Sequence, residues 1–280
     1  MLLLPAFGLY CVFQLIPLGQ SVYMSFFKWK GIANTPMVAV GIANYQKIAA
    51  DPYFWHSLMN SLWFMVGGFL ILMPLAYCLA LVITSRLKGM RFFKTSYFMP
   101  VILPTTAVGL MWVYIFEPNW GLVNSCLSSF GLGSWAHNWL GDPNIAIFVV
   151  ILVNEWIYAG FNMLIFAAGI LAIPEELYES AKIEGASYAQ SLRFITLPMT
   201  KESFKIFSVL CVTGCLKTFD LVYIMTRGGP NHATEMPSTL LYSQAFVYRN
   251  FGQGNAIGVV ILVLGLVLSL ILNKFLDQEA

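Results

Sequence analysis

Six stretches of the chain are apolar over helix length, and polar residues collect between them. They run from Leu2 to Phe27, Leu58 to Thr84, Thr95 to Phe116, Ile145 to Ile173, Ile206 to Met225 and Ala256 to Phe275. A helix needs about 20 predominantly apolar residues to cross a bilayer, and each stretch meets that length. These are continuous runs, not short segments alternating with period two, so the pattern predicts helices rather than the strands of a membrane barrel. The first stretch is too long for the core of a signal peptide and lacks a small-residue cleavage site, so it is expected to be retained. The fold expected is all-α: a polytopic membrane protein with six transmembrane helices. No internal repeat or low-complexity linker divides it. It reads as one domain over residues 1–280, with a core at about 57–275 and a polar loop at 174–205.

Composition strengthens this reading. Residues AVILMFWYC make up 59% of the 280 positions and DEKR only 10%, against about 25% charged residues in an ordinary soluble domain. A soluble enzyme, a disordered chain and a nucleic-acid binder are thereby excluded. The net charge of +2 provides no basic surface to neutralise phosphates. Orientation follows from lysine and arginine in the loops. With both termini cytoplasmic, Arg86, Lys88, Arg91, Lys94, Lys182, Arg193, Lys201, Lys205 and Lys274 lie inside. Lys28, Lys30, Lys47, Arg227 and Arg249 lie outside. The loop from Glu117 to Asp142 carries no basic residue and supports the same sign. The chain opens Met-Leu-Leu-Leu-Pro with no basic flank, as expected where a short cytoplasmic tail is absent.

The inner stretch from Pro174 to Lys205 is charged and long for a simple connection. Pro174 suits the first turn of a helix, where its missing N–H costs nothing. Glu175, Glu176 and Glu179 follow on the side that the helix dipole favours. The spacing predicts a short helix from Pro174 to Glu184, a turn at Gly185, a second helix from a Ser187 cap to about Phe194, and a stop at Pro198. A solvated connection and a docking knob for a soluble partner both fit these residues.

Ionisable groups inside a bilayer are costly and mark functional sites by default. Three fall within the predicted spans: Glu155, Lys217 and Asp220. Ten residues at about 1.5 Å each place Glu155 roughly 15 Å below the outer end of the fourth span. Asn154, Tyr158 and Asn162 recur at helical spacing beside it. Amides, carboxylates and aromatic rings in this arrangement suit the hydroxyls and apolar faces of a sugar. A polar contact between helices suits them as well. Lys217 and Asp220, three apart, are expected on one helical face, where they can neutralise each other or line a pathway. Pro74, Pro100 and Pro104 predict kinks in the second and third spans.

Other chemistry is not expected of this chain. No Gly-Lys pair exists, so no P-loop can form. The three histidines, His56, His137 and His232, are scattered, and no zinc spacing or nucleophile elbow occurs. The five cysteines read as packing residues. No catalytic residue and no metal ligand is therefore assigned.

The polar loop carries a resemblance. Glu179-Ser180-Ala181, Gly185-Ala186 and Ile195-Thr196-Leu197-Pro198 resemble the E-A-A…G…I-x-L-P loop of ABC importer permeases, with Ser180 in place of the middle alanine. Phe219-Asp220-Leu221-Val222-Tyr223 and Thr226-Arg227-Gly228-Gly229-Pro230 are similar to the signature of the carbohydrate branch. So are Gly121-Leu122-Val123-Asn124, Trp139-Leu140-x-Asp142-Pro143, Leu4-Pro5 and Tyr23-x-Ser25-Phe26. Together these matches span nearly the whole chain.

The resemblance implies a type I importer transmembrane domain working by alternating access in a bacterial or archaeal cytoplasmic membrane. It implies that Glu179, Ser180, Ala181, Gly185, Ala186, Ile195, Leu197 and Pro198 dock a separate ATPase dimer. ATP and magnesium are then used by that partner, and this chain has no cofactor. A second, homologous permease, an extracytoplasmic solute-binding protein and membrane lipid are the other partners implied. The candidate substrate contacts are Asn154, Glu155, Tyr158, Asn162 and Asp220. Permeases for glycerol phosphate, amino acids or peptides share the docking loop and remain alternatives. A gradient-driven transporter using Glu155 and Asp220 as a relay is another, although it leaves the charged loop unexplained.

Overall fold

The computed structural model of the chain describes residues 4–32, 35–85 and 88–277. Leu2, where the first apolar stretch begins, and Arg86 of the inner basic cluster lie outside the described residues.

The first apolar stretch is helical from Leu4–Tyr10 through a π-helical turn at Cys11–Leu15 to Ile16–Met24; together these form α1. A two-residue antiparallel ribbon follows, Phe27–Lys28 against Val38–Ala39. Helix α2, Ala43–Ala50, pins this corner: Asn44 donates its amide to the carbonyls of Ser25 and Phe27. Helix α3 covers Pro52–Ile83. It starts where theory places a start, with Pro52 in the first turn and the Asp51 side chain accepting from the Tyr53 N–H.

The third and fifth apolar stretches depart from expectation, since neither is one helix. The third divides into α4, Met90–Ile102, and α5, Thr105–Ile115, bent by 95°. Leu103 is extended at ψ 144° ahead of Pro104, because a proline ring disfavours helical geometry in the residue before it. Helix α6, Leu122–Ser129, lies in the following outer loop, and the fourth stretch forms α7, Ala146–Leu171. The fifth stretch divides into α10, Lys201–Lys217, and α11, Asp220–Met225, with Thr218 and Phe219 out of helical geometry. Carbonyls freed at the end of α10 accept hydroxyls: Thr218 donates to Gly214 O and Ser238 to Leu216 O. That local re-pairing makes a break at membrane depth tolerable.

The inner loop forms α8, Glu175–Ile183, and α9, which begins at Tyr188–Ser191 and runs on through Leu192–Thr196 and Leu197–Met199. Pro198 lies inside the last turn of α9, so the expected stop comes later, at Thr200 (φ −94°, ψ 11°). Helix α12, Pro237–Tyr242 extended by a turn at Ser243–Val247, packs back along α13, Phe251–Asp277. Among the described residues, α3, α7 and α13 are each long and apolar enough to cross a membrane, and the α4–α5 pair reaches that length and apolarity only when its two bent halves are taken together.

Helix α7 is the pillar of the fold, with 61% of its most apolar window buried. Phe64, Val108, Val222 and Met236 pack against Val150 and Val153 of its N-terminal half. Ala76, Tyr77 and Phe207 pack against Met163 and Phe166 of its C-terminal half. A third cluster, with Phe54, Leu216, Leu240 and Ile257, holds α13 to α3 and α10. Small residues permit the close crossings: a Cβ on Gly160 would lie 1.9 Å from the Tyr97 carbonyl of α4.

Candidate functional site

The two broken spans meet where α5 packs on α11, with Gly109 against Leu221 and Ile224. A cavity of about 380 Å³ lies beside the second break, walled by α7, α10, α11 and Gly68 and Leu72 of α3. Helix α7 contributes Asn154, Glu155, Tyr158 and Asn162, all on its cavity side; the break between α10 and α11 contributes Lys217, Thr218, Phe219 and Asp220; the start of α5 contributes Thr105. All five candidate substrate contacts read from the sequence therefore line one chamber. Non-helical backbone survives at membrane depth only where it is buried in protein or lines a cavity; the Thr218–Phe219 break lines this one, whereas Leu103 and Pro104 are exposed and only Thr105 after them reaches it.

Glu155 is the anomaly of this chamber. It is 2% exposed, and its Oε2 has no hydrogen-bond partner. Gly67 on α3 leaves room for it, since a Cβ there would stand 3.3 Å from Glu155 Oε1. A buried polar atom without a partner costs about 1–3 kcal/mol, which a ligand hydroxyl would offset. Asn162 donates to the Tyr158 carbonyl and keeps its amide oxygen for other use. Tyr158 and Asp220 are exposed to the chamber.

The expected Lys217–Asp220 couple is not made. Helix α10 ends at Lys217 and α11 starts at Asp220, so the pair loses its common helical face. Among the described residues no ion pair joins them. Thr105, Phe161 and Phe219 also line the chamber and were not among the candidates. Pro104, ahead of Thr105, and the Phe-Asp pair of the resembling signature were the signals for two of them.

The inner loop is a second surface with defined geometry. Gly185 takes φ +83°; the Gly185 N–H donates to Lys182 O and the Ala186 N–H to Ala181 O. This is the Schellman closure of a helix, which needs a left-handed residue one past the cap. It explains the Ala181…Gly185-Ala186 spacing physically. Ser187 accepts from the Gln190 N–H and Gln190 returns the bond to Ser187 N, a capping box. The Tyr178 hydroxyl bonds Thr196, and buried Thr200 bonds Thr196 O and the Tyr77 hydroxyl. The loop is thus tied to α3 as one piece. Ile183 (87% exposed), Tyr188 and Phe194 project from it. Glu179, Ser180, Gly185, Leu197 and Pro198 are also exposed; Ala181, Ala186 and Ile195 are half-buried.

The loops at the other end of α7 are organised by two motifs. Asn124 donates to the carbonyls of Pro118 and His137 and accepts from the His137 N–H and the Trp139 indole. Asp142 accepts from the Asn144 N–H and then from His137, which holds its carboxyl below the ordinary carboxylate range. In the Gly-Gly-Pro turn, Thr234 closes the loop onto Thr226 and Gly229 O. Gly228, at φ +82°, has no room for a Cβ, which would stand 2.6 Å from Glu235 Oε2.

A chamber with charged and amide groups at a broken span, together with a rigid exposed loop, fits a transport permease. The chain belongs to the binding-protein-dependent transport system inner membrane component family, which matches residues 78–279. It is 35% identical to the probable ABC transporter permease protein YurN of Bacillus subtilis, over 98% of this chain and 94% of that one. It is 31% identical to the trehalose/maltose transport system permease protein MalF of Thermococcus litoralis, over 98% and 92%. Identity to the diacetylchitobiose uptake system permease protein NgcF of Streptomyces coelicolor is 32%, over 93% and 76%. The fold matches a chain in the crystal structure of a bacterial ABC transporter involved in alginate import, with TM-score 0.86 and 24% identity over 99% and 94% of the two chains. It matches a chain of an amino acid ABC transporter more loosely, with TM-score 0.54 and 16% identity over 85% and 96%. The chain is thus a membrane permease of a binding-protein-dependent ABC importer.

Proposed function

We propose that this permease carries a sugar or oligosaccharide, and that Asn154, Glu155, Tyr158, Asn162 and Asp220 contact it in the chamber. The observation that carries this reading is the buried, unpartnered Glu155 oxygen beside amide, phenol and aromatic groups. A ligand rich in hydroxyl donors and with apolar ring faces fits such a set. The names of the relatives support the same class: trehalose/maltose, diacetylchitobiose and arabinooligosaccharide systems are among them.

The chain itself performs no bond chemistry. ATP and magnesium are used by a soluble ATPase dimer that docks on Glu179–Ala181, Gly185, Ala186, Ile195, Leu197 and Pro198. The exposed apolar tips of Ile183, Tyr188 and Phe194 support a protein partner there, because isolated loops rarely hold such groups in water. A second, homologous permease completes the chamber, and an extracytoplasmic binding protein delivers the solute to the outer face. Both termini are cytoplasmic, in a bacterial or archaeal cytoplasmic membrane. Nucleotide-driven closure of the ATPases biases the docked loop between two arrangements, and the chamber opens to alternate sides.

Affinity purification of the chain from its native membrane, with mass spectrometry of what accompanies it, tests the assembly. A P-loop ATPase and a second permease are the expected companions. A chain that comes alone, or only with copies of itself, contradicts the docking assignment.

A further inference from the structure

Six aromatic rings form a continuous ladder that none of the three buried clusters uses. It begins in the chamber at Phe219. Phe219 stacks on Tyr223 with centroids 5.1 Å apart and planes 19° apart. Tyr242 lies 5.0 Å from Tyr223 and 5.3 Å from Phe219, so these three rings form one cluster at the base; the steps beyond it are Tyr242 to Phe246 at 5.2 Å, Phe246 to Phe251 at 5.3 Å, and Phe251 to Trp29 at 5.5 Å. The direction of the ladder is fixed by its scaffold. Ser238 donates to Leu216 O, which sets the start of α12 beside the end of α10, at chamber level. Farther along, Leu241 faces Gly258 and Ala245 faces Gly254, so α12 climbs antiparallel to α13 toward its outer end. There the Phe251 N–H donates to Trp29 O.

We infer that this ladder is a track for a carbohydrate chain, running from the outer face to the chamber and seating several sugar units at once. The inference rests on the carbohydrate reading above and extends it to chain length. The rings are half-exposed along the climb, and Phe246 is 58% exposed. Pyranose rings bury their apolar C–H faces against aromatic faces, and the hydroxyls at their edges stay free for polar partners. Tyr223 and Tyr242 add hydroxyls midway, and Gln244 and Asn250 add amides near the top. A membrane-interface belt would gather aromatics at one depth. This ladder instead climbs the outer half of the fold, and its lowest ring faces the polar chamber. Continuity with that chamber is what assigns the occupant.

The test uses the complete transporter in proteoliposomes, with its binding protein outside and ATP inside. Tyr242→Leu and Phe246→Leu keep apolar bulk and remove the rings; Phe246→Tyr restores one ring. The probes are di- and pentasaccharides of the malto-, chito- and arabino- series. Each ring lost is expected to lower pentasaccharide uptake by about three- to tenfold, and disaccharide uptake by less than about twofold. Phe246→Tyr should recover the pentasaccharide rate. Equal loss at both lengths, no loss, or unmodified uptake limited to disaccharides overturns the track. Failure of the variants to co-purify with the second permease overturns it as well, and makes the ladder a subunit contact. If the unmodified transporter takes up no sugar of any series but takes up another solute, the carbohydrate reading fails first and the track falls with it.

Discussion

Glu155 and Gly228 illustrate what single residues do in this fold. Glu155→Ala removes an acceptor that faces the chamber from within a well-packed helix, and the vacated space opens onto the cavity. The expected outcome is a fall in uptake of about tenfold, the size of effect that follows from leaving a buried ligand hydroxyl without its partner. The assembled complex should remain intact on size-exclusion chromatography. Unchanged uptake across a sugar series would remove Glu155 from the pathway. Gly228→Ala meets both a left-handed backbone and the Glu235 carboxylate. It should destabilise the outer turn by about 1 kcal/mol or more, read as a lowered melting temperature of the purified complex. Asn124→Ala withdraws four hydrogen bonds that close the loop ahead of α7. At about 1 kcal/mol per bond before relaxation, the loop should become markedly more sensitive to limited proteolysis from the outer side. An unchanged cleavage pattern would show that the loop holds by other means.

At the scale of elements, the inner loop is the most explicit. Its first helix, its Gly185 turn and its Ser187 cap were all legible, because caps and glycines leave local signals that need no tertiary context. The end of the second helix was not, since a π-helical turn at Leu192–Thr196 precedes Pro198, which then falls in the first turn of Leu197–Met199, where its missing N–H does no harm. Gly185 has no neighbour within 4 Å of an added Cβ, so substitution there acts through backbone strain and through whatever docks outside. Gly185→Ala should therefore lower the coupling of ATP hydrolysis to uptake modestly. Gly185→Arg should abolish uptake while membrane insertion persists. Normal uptake by the arginine variant would contradict the docking role. The broken spans were less legible. Pro104 announced a kink, but a bend of 95° depends on where α5 can pack. The Thr218–Phe219 break carries no proline at all, so the hydrophobic run concealed it. Periodicity detects apolar length, and the interruption is decided by carbonyl partners such as Ser238 that lie distant in sequence.

For the whole molecule, the apolar pattern, the family match and the fold agree on a permease, and the chamber is the candidate site proposed for it. The five polar candidates were legible because polar groups in apolar helices stand out. Their convergence on one cavity required the fold. Thr105 and Phe219 were passed over because neither is costly in a bilayer, and only the two breaks bring them to the chamber wall. The pairing of Lys217 with Asp220 failed for the same reason, since a helix was assumed where the chain turns. The central claim is that solute moves through this chamber at the expense of ATP hydrolysed by a docked partner. The most direct measurement is uptake of a labelled sugar by vesicles holding the full complex, with ion gradients collapsed by ionophores. Uptake should require ATP and the binding protein and be indifferent to the ionophores. Uptake that follows the gradient and ignores ATP would contradict the account.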